Sequence, residues 1–181
     1  MRHPTVTIFG SNWPEPRSEP YEDAREIGKG LAQAGITVCT GGYRGTMLAA
    51  SEGARSQSGE VIGVTVSPWG PPNEFVTQSI VCDALLPRLE RLVELGDAYI
   101  VLPGGTGTLL EIALVLELQF KGSMEPRPLW FLGTQWQPVL SSALAGQRHG
   151  AKWVAGQTRL PVFKFFAKPV EIIEAAVKHF C

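Results

Sequence analysis

The stretch Ala98-Tyr99-Ile100-Val101-Leu102-Pro103-Gly104-Gly105-Thr106-Gly107-Thr108-Leu109-Leu110-Glu111 decides the reading of the chain. Ala98 to Leu102 is a short, wholly apolar run, the pattern of a strand buried on both faces. Leu109 to Phe120 is longer and leucine-rich, the pattern of a helix. Between them lies a turn with three glycines in four positions, which lets main chain approach a ligand without Cβ clashes. A strand, a glycine-rich turn and a helix start gather unpaired backbone N–H groups at the positive end of a helix dipole, an arrangement suited to a phosphate. No Gly-Lys-Ser/Thr follows, so this is not a P-loop, and the glycine spacing is not Gly-x-Gly-x-x-Gly. Thr108-Leu109-Leu110-Glu111 also has the form of a capping box, in which Thr108 caps the helix and Glu111 reaches back to it. On that reading the glycines are only a tight turn, and the stretch alone does not choose between the two.

Moving toward the N-terminus, Pro87 to Leu95 reads as a helix with Pro87 in its first turn. Arg88 then lies where the dipole disfavours a cation, which is motivated if an anion or a carboxylate sits opposite; a solvated arginine near Glu90 and Glu94 is the plain alternative. Ser79 to Cys82 and Glu60 to Val66 read as strands, separated by a loop holding Pro68, Gly70, Pro71 and Pro72. Ile36 to Thr40 is a further strand. It ends in a second glycine-rich turn, Gly41-Gly42-Tyr43-Arg44-Gly45-Thr46, and a small-residue helix, Met47 to Ser56, suited to close packing. Arg44 reads as an exposed turn arginine or as a second phosphate contact. Tyr21 to Ala34 is an amphipathic helix stopped by Gly35. Thr5 to Phe9 is the first strand, and Gly10-Ser11 follows it, then a proline-rich loop from Asn12 to Pro20. On the C-terminal side, Leu129 to Leu132 is a strand and about Gln137 to Ala145 a helix. Gly146 to Gly156 reads as a polar loop, Val162 to Phe165 as a short strand, and Pro169 to Phe180 as a closing amphipathic helix.

Strands and helices alternate throughout. That predicts an α/β fold, a single Rossmann-like domain over residues 1–181, with a parallel sheet flanked by helices and a ligand crevice at the carboxyl ends of the strands. The helices after the second and fifth strands are apolar enough to predict either a partner subunit or burial in the monomer's own core.

Composition narrows the class. The chain has 181 residues, 44% hydrophobic and 18% charged, with a net charge of −1. Such a chain is globular, and without a block of like charges it does not bind nucleic acid through a broad basic face. No apolar stretch reaches the length of a membrane span, which predicts a cytoplasmic protein with no membrane partner. Cys39, Cys82 and Cys181 form no paired spacing and read as reduced thiols, the first two buried in strands. His3, His149 and His179 form no metal motif, and no metal or cofactor is expected.

Pro103 to Glu111 resembles the Pro-Gly-Gly-x-Gly-Thr-x-x-Glu signature of the "lonely guy" proteins, often labelled lysine decarboxylases. Phe9-Gly10-Ser11, the Gly41-Gly42 turn with its helix, Val61-Ile62-Gly63-Val64 and Arg88 to Ala98 are similar to the same family, so the likeness covers nearly the whole chain. This chain differs in three places: the family's Met-His-x-Arg-Lys is Leu85-Leu86-Pro87-Arg88-Leu89, the closing glutamate pair is Leu110-Glu111, and the third glycine of the strand-two turn is Tyr43. The resemblance implies a Rossmann-like homodimer that hydrolyses the N-glycosidic bond of a nucleoside 5′-monophosphate, AMP or a cytokinin nucleotide, to free base and ribose 5-phosphate. By position, Gly104, Gly105, Thr106, Gly107 and Thr108 would hold the phosphate. Gly10, Ser11, Gly41 and Gly42 would line the nucleotide crevice, and Arg88 and Glu111 would be the catalytic pair.

The leaning of helical side chains toward the N-terminus aims Glu111 back over the loop. There the dipole is expected to keep it ionised, suited to an oxocarbenium-like ribose, with Arg88 fixing it or the ribose. A non-catalytic nucleotide-binding or carrier protein on the same scaffold is the alternative. Decarboxylation is not expected, because Lys29, Lys121, Lys152, Lys164, Lys168 and Lys178 show no setting for a Schiff-base lysine.

Overall fold

A computed structural model of the chain describes residues 3–150 and 163–181. The elements run β1 (Thr5–Phe9), α1 (Glu19–Gln33), β2 (Thr37–Thr40), α2 (Thr46–Arg55), β3 (Val61–Val66), a short 3-10 turn (Ser67–Trp69), β4 (Gln78–Cys82) and α3 (Leu85–Leu95). They continue through β5 (Ala98–Val101), α4 (Thr106–Phe120), β6 (Leu129–Leu132), α5 (Gln137–Gly150), β7 (Phe163–Phe166) and α6 (Pro169–Phe180). The seven strands form one sheet in the order β4-β3-β2-β1-β5-β6-β7, every pairing parallel.

Both faces of the sheet's centre are covered, which is why central strands such as β5 and β6 are wholly apolar and the threonines of β1 and β2 are buried with them. Successive side chains point to opposite faces. Val6, Ile8, Val38 and Ile100 pack with α1, α2 and α6. Phe9, Cys39, Tyr99 and Val101 pack with α3, α4 and α5 on the other side.

The small-residue helix finds its partner within the chain. A Cβ on Gly28 of α1 would overlap the Ala50 carbonyl of α2, and one on Gly53 would overlap the Arg25 carbonyl, so the two helices cross almost backbone to backbone. For α2, burial in the monomer's core is therefore the reading that holds. On α4, Leu109 and Leu110 stay exposed at 38% and 42%, so its outer face has no cover from the described residues.

Helix starts lie earlier than their periodicity implied. α3 begins two residues before Pro87, whose missing N–H falls among the amides that lack an intrahelical acceptor anyway; Arg88 makes the first such bond, to Ala84 at 3.3 Å. α1 likewise opens at Glu19 and takes Pro20 into its first turn. The expected polar loop from Gly146 first continues α5 to Gly150, and its remainder, with Val162, lies outside the described residues. Cys39 is fully buried, whereas Cys82 is only half-buried because β4 is an edge strand. No helix among the described residues is long and apolar enough to cross a membrane.

Candidate functional site

The chain builds outward from β1 to β4, then returns to lay β5 against the other side of β1. At such a reversal the two flanking loops leave the sheet in opposite directions and open a crevice at the strand ends. The Gly10-Ser11 turn after β1 and the Pro103–Thr108 turn after β5 lie there. Together with the loops after β2 and β3 they enclose a crevice of about 940 Å³.

The geometry of the Pro103–Thr108 turn differs in detail from the expected capping box. α4 starts at Thr106 with Gly105 as its cap, and its first i−4 bond is made by Leu109 to Gly105 at 3.0 Å. The amides of Thr106, Gly107 and Thr108 therefore have no intrahelical acceptor. Thr108 does not cap the helix; its hydroxyl donates to the Gly10 carbonyl at 3.0 Å and ties the two loops of the reversal together. A Cβ on Gly105 or Gly107 would meet nothing within 4 Å. Protein packing thus gives no reason for glycine at Gly107, in the first turn of a helix, where it costs about 1 kcal/mol relative to alanine. The room left open is the room an anion above the amides would use. Gly104 behaves differently: its N–H donates to Gln135 Oε1 at 3.1 Å, and its carbonyl accepts from Gln135 Nε2 at 2.8 Å. Its contribution is to loop shape, and the amides left for an anion belong to its neighbours.

Arg88 and Glu111 both line this crevice and both are buried, 7% and 8% exposed. Arg88 makes no ion pair among the described residues. Its Nε donates to the Val64 carbonyl at 2.9 Å and Nη2 to the Gly41 carbonyl at 3.3 Å, so β3 and the turn after β2 hold it. Its Cζ lies 5.6 Å from the ring centres of both Tyr43 and Trp69. Carbonyl oxygens and aromatic faces, rather than Glu111, compensate the buried cation.

The expected ionised Glu111 is corrected here. Burial pushes its carboxyl up to about 8, and the Arg88 charge pulls it back only in part. Glu111 is the sixth helical residue, beyond the first turn in which the dipole acts, so desolvation prevails. Desolvation thus favours the protonated acid in the crevice well above the usual carboxylate range.

Gly10, Ser11, Gly105, Thr106, Gly107 and Thr108 line the crevice as expected. Gly41, Gly42 and Gly104 sit one layer behind. Gly41 receives Arg88, and a Cβ there would overlap the guanidinium; Gly42 turns the chain at φ +76. Arg44 lies exposed at the crevice wall. Sequence reasoning passed over Tyr43 and Trp69 as site residues, and Gln135 entirely. The signal for the first was the aromatic residue in a glycine turn; Gln135 had none beyond its place just after β6.

Fold and crevice together define a Rossmann-like protein with a crevice, lined by amides that have no intrahelical acceptor, at the sheet's reversal point. Residues 3–121 match the family model described as the SLOG cluster4 family, and the chain belongs to that family. A cytokinin riboside 5′-monophosphate phosphoribohydrolase of Rhodococcoides fascians is 30% identical over 145 residues, 76% of this chain and 72% of that protein. A pyrimidine/purine nucleotide 5′-monophosphate nucleosidase of Escherichia coli is 32% identical over 106 residues, 53% of this chain but only 23% of its own length. The solved structure of the molybdenum cofactor binding protein from the phototrophic bacterium Rippkaea orientalis is similar over 100% of this chain and 99% of that one, with a TM-score of 0.73 and 25% identity. The family named from the Pro103–Glu111 signature is thereby shown.

Proposed function

We propose that the protein hydrolyses the N-glycosidic bond of a nucleoside 5′-monophosphate, releasing free base and ribose 5-phosphate. The observation that carries this is one crevice holding both the open amides of Thr106 to Thr108 and, one helical turn further on, a buried acid. The phosphate is held at the amides, and its binding energy fixes the sugar over Glu111. The protonated Glu111 carboxyl donates its proton to the departing base as the bond to the anomeric carbon breaks, with the bonding pair leaving on the base. The resulting carboxylate faces the oxocarbenium-like ribose, stabilises its charge, and takes a proton from the water that adds there. Arg88, anchored through two N–H groups, has others left to orient the ribose hydroxyls or the leaving base. The names of the Rhodococcoides and Escherichia relatives support this class of reaction. We also assign the uncovered Leu109–Leu110 face of α4 to a second copy of the chain, in a homodimer.

The test is incubation of the pure protein with a panel of nucleoside monophosphates, watching for free base and ribose 5-phosphate. Glu111→Gln is expected to abolish base release while keeping nucleotide affinity within a few fold. Undiminished release by that variant overturns the role of Glu111. The carrier reading keeps support from the likeness to the Rippkaea protein; saturable nucleotide binding without base release over hours would select it.

A further inference from the structure

We infer that Trp69, backed by Tyr43 and Arg88, is the wall on which the ligand's heterocycle stacks, and that it favours purine over pyrimidine monophosphates. This rests on the nucleotide reading above.

Trp69 lines the same crevice as the phosphate loop, yet 53% of it is exposed, an uncommon state for so large an apolar side chain in a concave site. Its position is fixed rather than loose. Trp69 closes the 3-10 turn that follows β3, with Pro68 inside it. Beyond the turn, Asn73 N–H donates to the Gly42 carbonyl at 2.7 Å, and Asn73 Nδ2 donates to the Tyr43 carbonyl at 2.9 Å. Phe75 N–H donates to Asn73 Oδ1 at 3.1 Å. The proline-rich segment is therefore pinned to the turn after β2, and an ordered wall loses little entropy when a ring settles on it.

Behind the wall, the Tyr43 ring centre lies 6.1 Å from that of Trp69, tilted by 44°. The Tyr43 hydroxyl accepts from Val66 N–H at 2.7 Å and sits 3.2 Å from the Val66 carbonyl, to which it donates. Arg88 Cζ completes a near-equilateral triangle, 5.6 Å from each ring centre. Tyr43 and the guanidinium thus lie to one side of Trp69, which lines the crevice with surface still exposed. Every base has a π-face, but a fused two-ring base overlaps an indole more fully than a single ring does.

The experiment measures binding of AMP, CMP and ribose 5-phosphate to the full chain by calorimetry, for wild type, Trp69→Ala, Trp69→Phe and Trp13→Ala. Trp13, also at the crevice and 82% exposed, has no ring or cation packed behind it among the described contacts and serves as the comparison. Wild type is expected to bind AMP more tightly than CMP. Trp69→Ala should weaken AMP about 10-fold or more and CMP less, with ribose 5-phosphate unchanged, and Trp69→Phe should recover most of the loss. Trp13→Ala should bind all three ligands as wild type does. Equal AMP affinity in wild type and Trp69→Ala overturns the stacking role while leaving the nucleotide reading intact, as does an AMP loss confined to Trp13→Ala. If wild type binds neither AMP nor ribose 5-phosphate, the nucleotide reading itself fails and takes this inference with it. Unchanged ribose 5-phosphate affinity in Trp69→Ala also serves as the check that the variant has folded.

Discussion

Replacing Glu111 by glutamine keeps the side chain's volume and removes its proton equilibrium, so the variant reads directly what burial does to the acid. In the unfolded chain Glu111 loses its proton near its ordinary value of 4.5; in the folded crevice it keeps it to about 8. Between those values the folded state binds the extra proton. Its contribution to stability is therefore fully present below pH 4.5 and is lost progressively as pH rises to 8. Each pH unit in that window is worth about 1.4 kcal/mol, so wild type loses about 4 kcal/mol from this group between pH 5 and pH 8. That figure is a ceiling, because water entering the crevice screens the charge. The amide of the variant titrates nowhere, so the gap between the two proteins opens with pH. Thermal unfolding of both at pH 5 and pH 8.5 measures it. The variant's advantage should grow by up to roughly 16 °C across the interval, at 2–4 °C per kcal/mol for a chain of this size. A difference in Tm between the two proteins that is the same at both pH values refutes the claim that Glu111 is held protonated by the fold.

The same acid gives a kinetic signature: kcat/KM for nucleotide hydrolysis should fall as pH rises through about 8, and a profile flat to pH 9.5 would remove Glu111 as proton donor. Gly107→Ala places its Cβ in open space and improves helix propensity, so Tm should hold or rise slightly while affinity for ribose 5-phosphate drops at least 10-fold in a binding titration. Gln135→Ala releases both hydrogen bonds on the Gly104 peptide, and KM should rise several fold with a stability loss of about 1–2 kcal/mol in urea unfolding. Gly28→Ala drives a Cβ into the Ala50 carbonyl and should destabilise the protein by about 3 kcal/mol or more, measured the same way.

Much of the fold was legible because its signals are local. Strand runs such as Ala98 to Val101 and helical spacing such as Ile172, Ile173 and Ala176 report on their own neighbourhoods, and the alternation of the two admits few sheets other than a parallel one. Helix starts were less legible: α3 takes in the exposed Leu85 and Leu86 ahead of Pro87, and α4 begins at Thr106, three residues before its leucine run, since first-turn amides need no intrahelical acceptor. The capping box on Thr108 failed for the same kind of reason. Because α4 begins at Thr106, Thr108 lies inside the first turn rather than at the cap, and its hydroxyl is free to donate to a carbonyl 98 residues away.

By itself the sequence determined that strands and helices alternate, that a glycine turn rich in free amides follows the fifth strand, and that Glu111 rides on the helix it starts. The tertiary structure alone decided that β5 returns beside β1, so that Gly10 and the Gly105–Thr108 turn share one crevice. It also decided that Arg88 rests on the Val64 and Gly41 carbonyls beside two aromatic rings, and that burial raises the Glu111 carboxyl well above its ordinary range. The division has a physical cause: backbone propensity and amphipathic period act over a few residues, whereas the charge state of an acid and the partners of a buried cation are set by solvent exclusion, which arises only when distant segments pack.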